Sequence, residues 1–134
     1  MKSFDELSRL GRIRRMRTLA KVALMNYGVS EATYHLVRQA GNTLFRVKTC
    51  DLPTTDDSDR LFEEGQYLLR VHEPGYQEPQ AIDLELTWLA AMRREANLPV
   101  PEPVAALDGR LLLSINAPGV PGTRYCSLLR WIKG

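Results

Sequence analysis

The sequence predicts an α+β fold: a twisted, mostly antiparallel five-stranded sheet with an N-terminal helix and one further helix packed on it. Three observations carry this. Apolar residues recur with a helical period in two well-separated segments. Strand-like runs lie between and after them, punctuated by Gly41-Asn42, Asp108-Gly109 and the "APGVPG" stretch, all suited to turns. The order is helix, three strands, helix, then two or three strands, and short loops between most strands favour antiparallel neighbours.

The first helix is expected over residues 5–27. Ile13, Met16, Ala20, Ala23, Leu24 and Tyr27 share one face, and Arg14, Arg15, Arg17 and Lys21 lie largely opposite. Gly28 is a C-terminal stop signal. Thr33–Ala40 and Leu44–Thr49 read as two strands. "DLPTTDDSDRLFEEG" (51–65) is acidic, carries Pro and Ser, and reads as an exposed loop. "QYLLRVH" (66–72) is the third strand. Pro79 suits the first turn of a second helix running to about Asn97. "LPVPEPV" (98–104) is extended, because each proline removes a donor and turns its predecessor away from helix. "VAALDGRLLLSI" is expected to form a hairpin, and "RYCSLLRWI" (124–132) the last strand. Two units follow: a basic amphipathic helix over 1–28 and a sheet-and-helix unit over 29–134.

With 134 residues, the chain is long enough for one domain. It is 44% hydrophobic and 25% charged, the profile of a soluble globular protein. No apolar run approaches the roughly 20 residues that span a bilayer, and the first 25 residues lack a signal peptide's apolar core. A cytoplasmic setting is expected, with no membrane partner. Cys50 and Cys126 match no metal spacing, and no metal ligand set is expected; a disulfide is left open. The net charge is +2, but residues 1–25 hold seven Lys/Arg against two Asp/Glu, so the basic character is confined to the first helix.

Two charges occupy unexpected places. On a helical wheel, Glu85 falls in the middle of the apolar arc formed by Ala81, Ile82, Leu86, Trp88, Leu89, Met92 and Ala96. In the preceding strand, Leu68, Arg70 and His72 share one face and Tyr67, Leu69 and Val71 the other. A carboxylate desolvated alone costs several kcal/mol, so Glu85 needs water or a cation, and Arg70 is the best-placed cation. A purely structural ion pair with no ligand fits the same pattern.

With "GNTLFRV" (41–47), "YLLRVHEPGY" (67–76), "IDLELTWLAAMRRE" (82–95), "LPVPEPV" (98–104) and "YCSLLRWIKG" (125–134) in this order, the sequence resembles the aminoglycoside phosphotransferase and choline kinase-like family. The resemblance runs from about residue 13 to 134. It implies the N-terminal lobe of a kinase-like fold, which covers ATP from above. Kinases place a strand cation against the α- and β-phosphates and hold it with a helix glutamate; Arg70 and Glu85 match these roles. Arg stands where protein kinases have Lys, and it offers a planar fork to phosphate and carboxylate.

Gly41 and Asn42 would present backbone N–H groups to phosphate. Laid on the glycine-rich kinase loop G-x-G-x-x-G-x-V, Val47 fits, but Ala40, Asn42 and Phe45 replace the glycines. Val47 and Leu68 are weaker candidates for contacts to the adenine. "LLRWIKG" resembles the hinge, where the Arg130 carbonyl and the Ile132 amide would meet the adenine edge and Leu129 would flank the base.

The resemblance further implies ATP and Mg as cofactors, with the Mg ligands, the catalytic base and the small-molecule acceptor site on a second lobe beyond the hinge. No catalytic residue is expected within 1–134. The expectation is an ATP-binding lobe, truncated and inactive alone, with exposed apolar surface near Leu128–Ile132 that favours self-association. Aminoglycoside, choline, homoserine and other hydroxyl or amine compounds stay open as acceptors. A non-catalytic kinase relative is one alternative. Another is a binding module that uses Arg12, Arg14, Arg15, Arg17 and Lys21 on nucleic acid or an anionic surface, although no nucleic-acid motif accompanies them.

Overall fold

A computed structural model describes residues 9–40, 42–50, 52, 62–73, 78–96, 101–117, 119, 120 and 122–132. Its elements are α1 (Arg9–Asn26), β1 (Thr33–Ala40), β2 (Asn42–Lys48), β3 (Phe62–Val71), α2 (Pro79–Ala96), β4 (Leu113–Ile115) and β5 (Arg124–Ile132). The five strands form one sheet in the order β1-β2-β3-β5-β4, and every pairing is antiparallel. The expected fold class is the observed one.

α1 buries Met16, Leu19, Ala20, Ala23 and Leu24, the i, i+3, i+4 stripe of a helix lying on a core, and Tyr27 just past its end continues the stripe. Leu19, omitted from the sequence stripe, is fully buried; Ile13 is only partly so. The helix stops in a Schellman turn. Val29 N–H donates to the Leu24 carbonyl and Gly28 N–H to that of Met25, with Gly28 at φ 88°. Only glycine adopts that angle without strain, and Val29 packs in the same core as Leu24, the contact that usually accompanies the turn.

Strand alternation divides the sheet into two faces. Phe45 and Val47 of β2, Tyr67, Leu69 and Val71 of β3, and Cys126 and Leu128 of β5 pack with α1 in the main core. α2 belongs to the opposite face, where Ile82 and Leu86 enclose Leu129 beside Leu89, Leu111 and Leu112. Both cysteines are free thiols; burial pushes that of Cys126 up to about 12, which keeps it an inert apolar filler.

Several expectations are corrected. β3 begins at Phe62, not Gln66, so Phe62–Gly65 belongs to the sheet rather than to the acidic loop. The extra length is accommodated by a bulge: pairing with β5 shifts between Phe62 and Tyr67, and Gly65 sits at φ 74° with its carbonyl accepting from Thr49 N–H. Residues 51 and 53–61 of that loop lie outside the described residues.

The 104–115 segment turns at Asp108-Gly109, as the sequence suggests, but only Leu113–Ile115 is a regular strand. Residues 102–104 instead run along β5, with Val104 N–H on the Leu128 carbonyl and Arg130 N–H on the Glu102 carbonyl. Leu128 and Leu129 are buried, not exposed; the large exposed apolar side chains among the described residues are Met25, Val37, Leu84, Trp88 and Leu107. Among the described residues no helix is long and apolar enough to cross a membrane.

Candidate functional site

Arg70 and Glu85 do meet. β3 carries Arg70 on the α2 face of the sheet, and Glu85 stands one turn from the buried Ile82 and beside Leu86. The Arg70 Nη1 to Glu85 Oε1 distance is 3.7 Å, with side-chain exposures of 21% and 41%. The pair is thus half-open, not buried as the helical wheel suggests. α2 rests on the sheet through a narrow stripe, so Glu85 lies at its edge, while Trp88 and Ala81 face solvent outside it.

Both residues line a cleft of about 440 Å³ with Leu68, Leu89, Pro101, Leu129, Arg130 and Trp131. Its walls are mostly apolar, and Arg70, Glu85 and Arg130 are the charged groups among them, the make-up of a small-molecule site in which a few polar groups fix orientation. Trp131 lies under the Arg46 guanidinium, 4.3 Å from its ring centroid, and Arg46 Nε donates to Gln66 Oε1 at 3.1 Å. Along the other edge Arg130 Nη1 is 3.3 Å from Glu102 Oε1.

The guanidinium of Arg70 is held at two of its three nitrogens. Nε donates to Ser127 Oγ at 3.3 Å, Nη1 faces Glu85, and Nη2 is buried without an acceptor among the described residues. His72 Nε2 also meets Ser127 Oγ, at 3.2 Å. Burial and, secondarily, the Arg70 charge pull the His72 pKa down to about 4, so the ring is neutral near pH 7.

The remaining expected residues are distributed as follows. Leu129 walls the cleft. Arg130 lines it and turns its amide to Glu102; in an antiparallel ladder the carbonyl of a residue points to the same edge as its amide, and the Ile132 amide shares that edge. Asn42 lies at the β1–β2 turn, where its Oδ1 accepts from Glu73 N–H at 2.9 Å. Gly41 lies outside the described residues.

Val47 is placed elsewhere than expected: it packs in the main core on the α1 face, because alternation in β2 gives the cleft side to Arg46. Leu89, Pro101, Trp131, Arg46 and Ser127 were not singled out as site residues from the sequence. The strand alternation that pairs Arg46 with Leu68 was the signal available for Arg46; nothing marked Ser127.

The arginines of α1 are partly committed to structure. Arg15 Nη1 donates to the Gly119 carbonyl at 2.9 Å. Arg17 Nη1 donates to the Tyr34 carbonyl at 3.0 Å and stacks 4.6 Å from the Tyr34 ring centroid. Among the described residues no group of three His, Cys, Asp or Glu side chains is placed to hold a metal ion.

No protein-family model matches the sequence, and no curated protein does. A solved structure, that of the microcompartment-associated aminopropanol kinase, is similar over 88% of this chain, with a TM-score of 0.66 and 31% identity. The chain spans 32% of the length of that kinase. The architecture, the cleft between β5 and α2 and this likeness agree with the family read from the sequence: the chain has the fold of a kinase-like N-terminal lobe, and its likeness is to the small-molecule kinases of the aminoglycoside phosphotransferase and choline kinase-like group.

Proposed function

We propose that the chain is the ATP-binding N-terminal lobe of a small-molecule phosphotransferase, one that moves the ATP γ-phosphoryl group to a hydroxyl-bearing compound. The carrying observation is the Arg70 guanidinium lining an apolar cleft, with its Nη1 3.7 Å from Glu85 Oε1. A guanidinium fixed at a cleft wall offers charge-assisted hydrogen bonds to phosphate oxygens. The residues present therefore suit a nucleoside triphosphate. ATP, when bound, supplies the phosphoryl group.

Leu68, Leu89, Leu129 and Trp131 exclude water around the adenine. The Arg130 carbonyl and the Ile132 amide offer the pair of hydrogen-bonding groups that a purine edge uses. Arg70 binds and orients the α- and β-phosphates, and Glu85 keeps the guanidinium from swinging out of the cleft. Asn42, whose Oδ1 accepts from Glu73 N–H, orders the turn above the phosphates. Transfer also requires a base and Mg ligands, which the resemblance assigns to a second lobe; the 134-residue chain alone is expected to bind nucleotide weakly and to transfer no phosphoryl group. The acceptor class, a small hydroxyl compound such as an amino alcohol, is supported by the name of the similar kinase. The basic-helix alternative has less support, since Arg15 and Arg17 of α1 tie the helix to neighbouring backbone.

Amide hydrogen exchange with and without ATP-Mg tests the reading. Protection is expected at β5 and at the C-terminal half of β3, with α1 unchanged. Protection confined to α1, or none, would oppose it.

A further inference from the structure

Ser127 is a polar residue with no exposed surface, set in β5 between the fully buried Cys126 and Leu128. A buried hydroxyl on a sheet costs stability unless it is bonded. The register puts Ser127 directly opposite Arg70, and His72 lies two residues on, just past the end of β3, where its ring meets the same Ser127 hydroxyl. Ser127 Oγ is their hub: it accepts from Arg70 Nε and is hydrogen-bonded to His72 Nε2. His72 is itself 4% exposed.

We infer that Ser127 and His72 are positioning residues for the phosphate-binding arginine: together they lock the Nε edge of Arg70 and so fix the plane in which its guanidinium faces Glu85 and the cleft. The inference rests on the reading of the cleft as a nucleotide site. Arginine has a long, flexible stem, and its fork recognises phosphate well only when its plane is fixed. A neutral imidazole is the suitable second partner. It restrains the serine hydroxyl with one hydrogen bond and adds no positive charge beside the guanidinium, and burial with Arg70 nearby keeps it neutral down to about pH 4.

A merely space-filling role for Ser127 and His72 makes a different forecast, and two readouts on the 134-residue chain separate the two. The first needs no nucleotide. In arginine-labelled protein, the Arg70 Nε–H resonance, assigned by its loss in Arg70→Lys, is expected to be sharp and slow to exchange with water. Ser127→Ala should broaden it into the solvent-exchanging class. Ser127→Thr, which keeps the hydroxyl, and His72→Gln, which keeps a hydrogen-bonding group near Nε2, should retain it; melting curves identify any variant that fails to fold. An unchanged resonance in Ser127→Ala overturns the inference.

The second readout is the ratio of ATP to adenosine affinity. Ser127→Ala should lower it about 10-fold, the scale of a lost hydrogen bond to a charged group, with adenosine binding unchanged. If Arg70→Ala lowers the ratio and Ser127→Ala does not, positioning by Ser127 is refuted while the nucleotide site stands. If Arg70→Ala also leaves the ratio unchanged, the nucleotide reading fails, and the inferred purpose of the cluster fails with it.

Discussion

Arg70 Nη1 stands 3.7 Å from Glu85 Oε1, yet the glutamate side chain keeps 41% of its surface exposed, about twice the fraction of its partner. A carboxylate that wet gains little from its cation. Half-exposed pairs contribute about 0–1 kcal/mol, so Glu85→Gln is expected to change unfolding stability by less than about 1 kcal/mol. Its larger effect should appear in ATP affinity, where a free Arg70 loses orientation. Urea denaturation beside an ATP titration checks both parts.

Leu129 carries structure and site together: it closes the small core with Ile82 and Leu86 and walls the cleft. Leu129→Ala is expected to cost about 2–4 kcal/mol, the usual range for a buried leucine whose cavity relaxes incompletely. Trp88→Ala, at a position 63% exposed on α2, should stay within about 0.5 kcal/mol. Equilibrium unfolding of the two variants measures the contrast, and equal losses would contradict the described packing of α2.

The neutral His72 makes stability depend on pH with a definite sign. The folded pKa lies near 4 against 6.5 for an unfolded histidine. Above pH 6.5 neither state binds the proton and the full stability is present. Between about 6.5 and 4 the unfolded chain takes up a proton that the fold refuses, so stability falls as the pH falls and levels off below. The loss is on the order of 3 kcal/mol once the pH lies below both values. Urea midpoints measured across this window should decline in the wild type, with a shallower slope in His72→Gln.

Arg46 stacks on Trp131 at the mouth of the cleft, 4.3 Å from the ring centroid. Half-exposed cation–π contacts contribute about 0.5–1 kcal/mol, so Arg46→Ala should leave the fold nearly as stable. It should shift Trp131 emission to the red, most clearly in a Trp88→Phe background. ATP should quench the same emission if the nucleotide occupies the cleft.

Much of this was legible in the sequence for physical reasons. The Arg70–Glu85 contact follows from two periodicities, two residues per strand repeat and 3.6 per helical turn, and the stop at Gly28 follows from an angle that glycine tolerates. Other features had no one-dimensional signature. The bulge at Gly65 hides the first four residues of β3, because one glycine in an acidic stretch reads as loop. The wheel overestimates how much of α2 is buried, since it shows which residues share a face but not how wide the supporting surface is. Val47 was carried by a motif match, whereas the alternation of β2 assigns the cleft to Arg46. Ser127 joins Arg70 only through a register that no local pattern specifies.

The most direct measurement is a series of binding isotherms for adenosine, AMP, ADP and ATP on the wild-type chain and on Arg70→Ala. The proposed nucleotide site requires affinity to rise with each of the first phosphates in the wild type, and requires that rise to be lost by about 10-fold or more in Arg70→Ala, with adenosine binding alike in both. Equal affinities across the series in the wild type, or an undiminished rise without the Arg70 guanidinium, would contradict it.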